Sequence, residues 1–211
     1  MKTLFFKSLP STQTYLKNLL KQDKTITSIA VVAGIQTAGI GSRDNSWNSI
    51  EGNLFLSFSM KISDLPKDLK IESASIYFSY LLKETLSELG SKVLVKWPND
   101  LYLRDKKIAG MITNIVDDRL VCGVGVNLVS SPTGFGHVDI EIRKEILLKN
   151  YFKNIAKKVL WKQVFSKYKL EYYTNKNLYT HVNGAKIHLN NTELQDDGSL
   201  KINGERIYSL R

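Results

Sequence analysis

Cys122 is the only cysteine in the sequence. A disulfide within the chain is therefore excluded, and a reducing compartment is the simplest expectation. Long apolar runs are missing too: none approaches the roughly 20 residues that cross a bilayer. The opening stretch Met1-Lys2-Thr3-Leu4-Phe5-Phe6-Lys7 has only three apolar residues before Lys7, too few for the apolar region of a secretion signal. No internal repeat or low-complexity segment occurs. Two phosphate-binding patterns are absent as well: no Gly-x-x-x-x-Gly-Lys is present, and the third glycine of the dinucleotide fingerprint is missing. The first strand begins by about Leu4, which leaves no room ahead of it for a helix-turn-helix. A cytoplasmic protein without a membrane or nucleic-acid partner is the expectation. The net charge of +10 fits this, because its lysines are spread along the chain. A bound nucleotide and an acidic protein partner account equally well for a basic surface.

The chain does have enough apolar content, 43% of 211 residues, for one sizeable core. Leu4-Phe5-Phe6 reads as a first strand. Ser11 is the candidate N-cap of a helix whose stripe is Tyr15, Leu16, Leu19 and Leu20. Residues 29–35 form an apolar, β-branched strand. Residues 36–53 carry glycines and small polar residues without periodicity, which marks a long loop of the kind that serves function. Leu54, Leu56, Phe58, Met60 and Ile62 alternate as a strand with one buried face. A helix is expected from about Leu69 to Leu89, closed by Gly90. Strands follow at 93–97, 101–103, 108–116 and 120–128, with Asp117-Asp118 turning between the last two. After an irregular stretch at 130–138, helix is expected from Ile140 to about Tyr173, in one or two pieces. The final segment alternates short strands with Asn183-Gly184, Asp197-Gly198 and Asn203-Gly204, which are hairpin signals. These elements imply an α+β fold with a mixed β-sheet flanked by helices. Residues 1–175 form the main domain, and residues 176–211 form a small C-terminal β module that must dock on it to be stable.

Three constellations carry chemistry. In the first, Gln36-Thr37-Ala38-Gly39-Ile40-Gly41-Ser42-Arg43-Asp44-Asn45-Ser46-Trp47, glycines allow backbone amides to approach an anion. Arg43 adds a planar cation, and Trp47 a flat apolar wall. The second, Lys96-Trp97-Pro98-Asn99-Asp100, ends a strand. Lys96 and Trp97 point to opposite faces there, while Asn99 and Asp100 can either serve a ligand or simply close a turn. The third is Lys106-Lys107-Ile108-Ala109-Gly110, where a glycine inside a strand marks a bulge or the close approach of a ligand. Each alone has an ordinary structural explanation.

Together they resemble the catalytic domain of biotin–protein ligases, of the type without a DNA-binding domain. That family has a Gly-x-Gly loop followed by tryptophan, then Lys-Trp-Pro-Asn-Asp, then Lys-x-x-Gly on the next strand. Ser11-Thr12-Gln13 stands where the family has Ser-Thr-Asn, and Gly123-Val124-Gly125-Val126-Asn127 resembles its Gly-x-Gly-x-Asn strand. The resemblance spans nearly the whole chain. It implies a class II synthetase-like catalytic domain with a short SH3-like C-terminal module. It also implies an ATP-dependent ligase that forms biotinyl-5'-AMP and transfers biotin to a lysine of the biotin carboxyl carrier protein of acetyl-CoA carboxylase. Ser11, Thr12, Gln13 and Gln36 are then expected at the biotin ring. Gly39, Ile40, Gly41, Ser42 and Arg43 would close over biotin and the adenylate phosphate. Lys107 would meet the biotin carboxylate or the acyl-phosphate, and Lys96 would neutralise phosphate. Asn99 and Asp100 would place ATP or the incoming lysine. Trp47, Trp97, Gly110 and Asn127 complete the expected binding set, with Phe135 the candidate to stack on adenine. Mg²⁺ is expected to arrive with the ATP phosphates, without a dedicated ligand cage. Monomer and homodimer are both compatible with the sequence.

Two departures stand out. The family loop commonly reads Gly-Arg-Gly-Arg-Arg-Gly, whereas Ile40 and Ser42 occupy two of those arginine positions here and leave Arg43. Gln13 replaces the usual asparagine. Other readings remain at this point: a lipoate or octanoate ligase or transferase of the same fold, and a non-catalytic biotin-binding module. A transferase would need a reactive cysteine, and Cys122 reads as buried core. Met111 and Ile112 are candidate walls of the apolar pocket, without an assignment of which faces inward.

Overall fold

The computed structural model describes residues 1–42, 45–182 and 184–208. Strand β1 (Lys2–Leu9) runs parallel to β2 (Ile29–Gln36), and helix α1 (Thr12–Gln22) makes the crossover between them. The Ser11 side chain caps α1 by accepting from the Thr14 amide. Strand β3 (Leu54–Lys61) then pairs antiparallel with β2. Helix α2 (Ala74–Glu88) follows, and its end is closed by Gly90 at φ +103 with the Gly90 and Ser91 amides turned back onto Ser87 and Leu86. Strands β4 (Leu94–Lys96), β5 (Asp100–Leu103), β6 (Lys106–Val116) and β7 (Arg119–Val126) form an antiparallel meander. It joins β3 through β7, giving a seven-stranded mixed sheet in the order β1-β2-β3-β7-β6-β5-β4.

The sheet is buried on both faces. On one, α2 packs with α3 (Lys144–Ala156) and α4 (Trp161–Thr174) over Val32, Leu56, Phe58, Leu120, Cys122 and Val126. On the other, α1 covers a smaller cluster of Leu16, Leu20, Ile29, Val31, Val116 and Val121. Strand β3 is therefore not one-sided as its alternation suggests. Its intervening Phe55, Ser57 and Ser59 are buried as well.

Two helices begin later than their apolar pattern implies. Leu65 and Leu69 reach the core from a turn in which the Leu69 amide bonds Pro66, so α2 starts at Ala74 after a 3-10 turn. Ile140 and Ile142 likewise pack against the core in non-helical chain ahead of α3.

The C-terminal strands are β8 (Tyr179–Val182), β9 (Ala185–His188), β10 (Glu193–Leu194), β11 (Leu200–Ile202) and β12 (Glu205–Ile207). They form a two-stranded and a three-stranded sheet. Asn203 and Gly204 turn between β11 and β12 at φ +49 and +89. The turn before β11 is fixed to the main body by three side chains. The Trp97 and Trp161 indoles donate to the Gly198 and Asp196 carbonyls at 2.8 and 2.9 Å, and Ser73 donates to the Asp197 carbonyl at 2.7 Å. Among the described residues no helix is long and apolar enough to cross a membrane.

Candidate functional site

Sheet register builds the site. In an antiparallel ladder, residues directly opposite one another share a face. Ser57, Gly123 and Ile112 make one such row, and Phe55, Gly125, Gly110 and Asp100 the next. These rows continue the face covered by α1, beyond that helix's N-terminus. Glycine at 110, 123 and 125 leaves the sheet without side chains there. A cleft of about 450 Å³ results, walled by the start of α1, the loop after β2, and Lys107. Ile112 faces this cleft side, while Met111 belongs to the opposite core.

One end of the cleft is polar and neutral. The Gln36 Oε1 accepts from both the Thr12 amide and the Thr12 hydroxyl, at 2.8 and 3.0 Å. Among the described residues, that arrangement leaves the Gln36 amide nitrogen as a donor available to a ligand. Ser57 Oγ lies 2.9 Å from both Thr12 Oγ1 and Gln13 Oε1. Gln13 Nε2 donates to Asn114 Oδ1 at 3.0 Å. The extra methylene of Gln13, compared with asparagine, carries its amide across Gly123, where a Cβ would stand 2.6 Å from Gln13 Oε1.

The other end is charged. Lys107 Nζ pairs with Asp100 Oδ1 at 2.7 Å and lies 5.6 Å from the Trp47 ring centroid. Lys96, opposite Asp100 in the β4–β5 ladder, donates to Tyr102 Oη at 3.1 Å and packs over that ring. Burial holds the Lys96 ammonium below the ordinary lysine range, and the Asp100 carboxylate partly restores it. Burial likewise raises Tyr102, with Asp100 adding to the rise and Lys107 opposing it.

Trp47 lies flat between these parts. A Cβ on Gly125 would overlap its ring, so only glycine fits beneath it. The loop that carries it is more regular than its composition suggests. Gly41 and Trp47 donate to the Asn45 and Gly39 carbonyls at 2.7 and 2.8 Å, and Ile40 bridges Ser46. Among the described residues the Trp47 indole nitrogen has no partner. Beyond its ring, a second hollow of about 280 Å³ is lined by Ser46, Asn48, Asn127, Pro132 and Phe135.

The expected residues divide accordingly. Ser11, Thr12, Gln13, Gln36, Ile40, Gly41, Ser42, Trp47, Asp100, Lys107 and Gly110 line the cleft. Gly39 lies against Gln36 and Trp47, and Asn127 lies in the second hollow. Arg43 is outside the described residues.

Trp97 and Asn99 require correction, since neither lines the cleft. Both lie in the turn between β4 and β5, which points them inward. Trp97 is 2% exposed and holds the C-terminal turn. Asn99 is 1% exposed, and its side chain donates to the Met111 carbonyl, leaving its oxygen buried without a partner. Ser57 and Asn114 join the site unanticipated, and Gly123 and Gly125, named in the sequence only as part of a Gly-x-Gly-x-Asn strand, form its floor. Cys122 is fully buried, and burial pushes its thiol well above the usual range. Among the described residues no cluster of three or more His, Cys, Asp or Glu is placed to hold a metal.

A family model described as the biotin/lipoate A/B protein ligase family matches residues 5–127. The biotin acetyl coenzyme A carboxylase synthetase of Helicobacter pylori, solved with bound biotinylated ATP, is 39% identical. It superposes with a TM-score of 0.93 over 98% of this chain and 99% of that one. The biotin protein ligase of Aquifex aeolicus in complex with biotin and ATP shares the fold, with a TM-score of 0.78 at 21% identity over 100% of this chain and 96% of that one. The bifunctional ligase/repressor BirA of Escherichia coli is 35% identical over 127 residues, which is 57% of this chain and 38% of that protein. The matched stretch thus spans well under half of that relative's length.

Proposed function

This chain belongs to the biotin/lipoate A/B protein ligase family, and from that membership we propose that it is a biotin–protein ligase using ATP. The observation that carries the choice of biotin within the family is the two-ended cleft. Its inner end offers neutral hydrogen-bonding groups from Thr12, Gln36, Ser57 and Gln13. Its outer end offers the Lys107 cation. The two glycine rows under these ends are about 7 Å apart, since residues two apart on a strand rise about 3.4 Å each. A ureido ring with a carboxylate tail satisfies both. A dithiolane or a plain acyl chain would offer no acceptor to the Gln36 amide nitrogen, at a cost of about 1–3 kcal/mol.

In the first step a biotin carboxylate oxygen attacks the α-phosphorus, and the bond to pyrophosphate breaks. Both reactants are anionic, so fixed cations lower the barrier. Lys107 meets the carboxylate, and Lys96 and Arg43 meet phosphate. With Ile40 and Ser42 in place of arginines, Arg43 retains the adenylate, and Arg43→Ala should release it to solution. The glycine loop excludes water from the labile anhydride. Adenine takes the hollow bounded by Trp47, Asn127 and Phe135. Mg²⁺ would be carried by the ATP phosphates and would supply further charge neutralisation. In the second step a carrier lysine amine attacks the acyl carbon and AMP leaves, with Asp100 accepting the amine proton. The names of the relatives support the biotin carrier domain of acetyl-CoA carboxylase as acceptor. Calorimetry with biotin and with lipoate tests the substrate choice: biotin binds and lipoate does not. Equal binding of the two would overturn it.

A further inference from the structure

The two loops that bound the second hollow meet at one side chain. Asn53 closes the loop after β2 and is fully buried. Its Oδ1 accepts from the amides of Leu128 and Val129, at 2.9 and 3.1 Å. Its Nδ2 donates to the Ser130 carbonyl at 2.9 Å and reaches Asn127 Oδ1 at 3.4 Å. Three successive residues of the loop after β7 are thus pinned by one amide. Next to it, Gly52 at φ +90 leaves no room for a Cβ, which would stand 2.7 Å from the Val129 side chain. The rest of that loop is tied to the sheet separately: Asn127 Nδ2 donates to the Gly136 carbonyl at 2.9 Å, and the Gly136 amide donates to the Lys107 carbonyl at 3.0 Å.

We propose that Asn53 is a positioning residue for the nucleotide, setting the gap between the loop that carries Trp47 and the loop that carries Phe135. The proposal rests on the ligase reading given above. Asn53 does not itself line the hollow, yet every hydrogen bond its side chain makes fixes one loop relative to the other. Its amide is required on both sides, because it accepts from two N–H groups and donates to carbonyl oxygens. Aspartate, of the same size, keeps the first function and loses the second. Its remaining oxygen would face the Ser130 carbonyl and push the second loop away. The biotin cleft is walled by the glycine rows, α1 and the part of the loop after β2 up to Trp47, and none of residues 128–130 lines it.

The experiment compares the full chain with Asn53→Asp and, as an independent perturbation of the same junction, Gly52→Ala. The KM for ATP is read from biotin-dependent pyrophosphate release, and the biotin Kd from calorimetry. The expected result is a KM for ATP raised about tenfold in either folded variant, the effect of losing one buried hydrogen bond, with the biotin Kd changed less than about twofold. Circular dichroism identifies a variant that fails to fold, and the other then decides. Equal shifts in both constants, or none in either, would overturn the proposal. A wild-type chain that binds biotin and ATP but releases no pyrophosphate would remove the ligase reading alone. The positioning claim would then be read from the ATP Kd of the same variants, and a wild type that does not bind ATP would end both.

Discussion

Lys107 and Asp100 form an ion pair of 2.7 Å across the β5–β6 ladder, at the charged end of the cleft. Both side chains remain about a quarter exposed, 23% and 25%, so the pair itself contributes only about 1 kcal/mol or less to stability. Its consequence is chemical. Before substrate enters, Asp100 neutralises the lysine, and a substrate carboxylate can exchange with it at little cost.

That exchange separates the two residues by step. Lys107→Gln should slow adenylate formation by about 10²-fold or more, since a fixed cation at developing charge is lost. Asp100→Asn should spare adenylate formation to within about tenfold and slow transfer to the carrier amine by about 10²-fold. Pyrophosphate release without carrier and biotinylation with it measure the two steps. Equal losses in both steps for both variants would contradict these roles.

Gly125→Ala drives a methyl into the Trp47 ring. Overpacking of this kind costs about 1–3 kcal/mol, so the sheet should survive while the indole is displaced from between the two hollows. Biotin and ATP should both bind at least about tenfold more weakly by calorimetry. Unchanged binding of both would show that the ring is not the wall of either site.

Cys122 should be inert. It is completely buried and its thiol is held protonated by burial. A thiol reagent should leave the native chain unlabelled and label it fully in denaturant, and Cys122→Ala should retain biotinylation. Loss of acyl transfer in that variant, with the fold intact, would favour a thioester route instead.

Alkali should unfold the chain through its buried tyrosines. Burial pushes Tyr77 and Tyr172 up to about 12, and Tyr151 and Tyr168 well above the ordinary range. A folded-state pKa above the unfolded one means that the native state keeps protons the unfolded chain releases. The stabilisation is complete below the unfolded value of about 10 and is lost as pH rises toward 12. Denaturant midpoints should be flat from pH 8 to about 9.5 and fall steeply above it, and Tyr77→Phe should lessen the slope. A midpoint flat to pH 12 would contradict the assignment.

Much of this was legible in the sequence because local rules and tertiary structure agree. Ser11 caps α1, Gly90 ends α2, and Asp117-Asp118 turns β6 into β7. Part of the signature was legible for the same reason: Lys96 and Asp100 stand opposite one another in the ladder and share a face, and Asp100 lines the cleft. Its partners Trp97 and Asn99 share the motif but not the site, because the turn between β4 and β5 sends them into the core. A motif records what a segment needs, without separating ligand contact from support. Ser57 and Asn114 were not legible, since their value lies in meeting Gln13 from strands far apart in the chain. The early starts assigned to α2 and α3 came from apolar residues, Leu69 and Ile140, that reach the core from non-helical chain. Periodicity counts burial and does not register how the backbone arrives there.

The central claim is that the two-ended cleft activates a biotin carboxylate with ATP. Incubating the chain with ATP, Mg²⁺ and labelled biotin, without a carrier, tests it most directly. Biotinyl-5'-AMP should form with one equivalent of pyrophosphate, and lipoate in place of biotin should yield neither. Pyrophosphate release with lipoate at the rate seen with biotin, or none with biotin bound, would contradict the account.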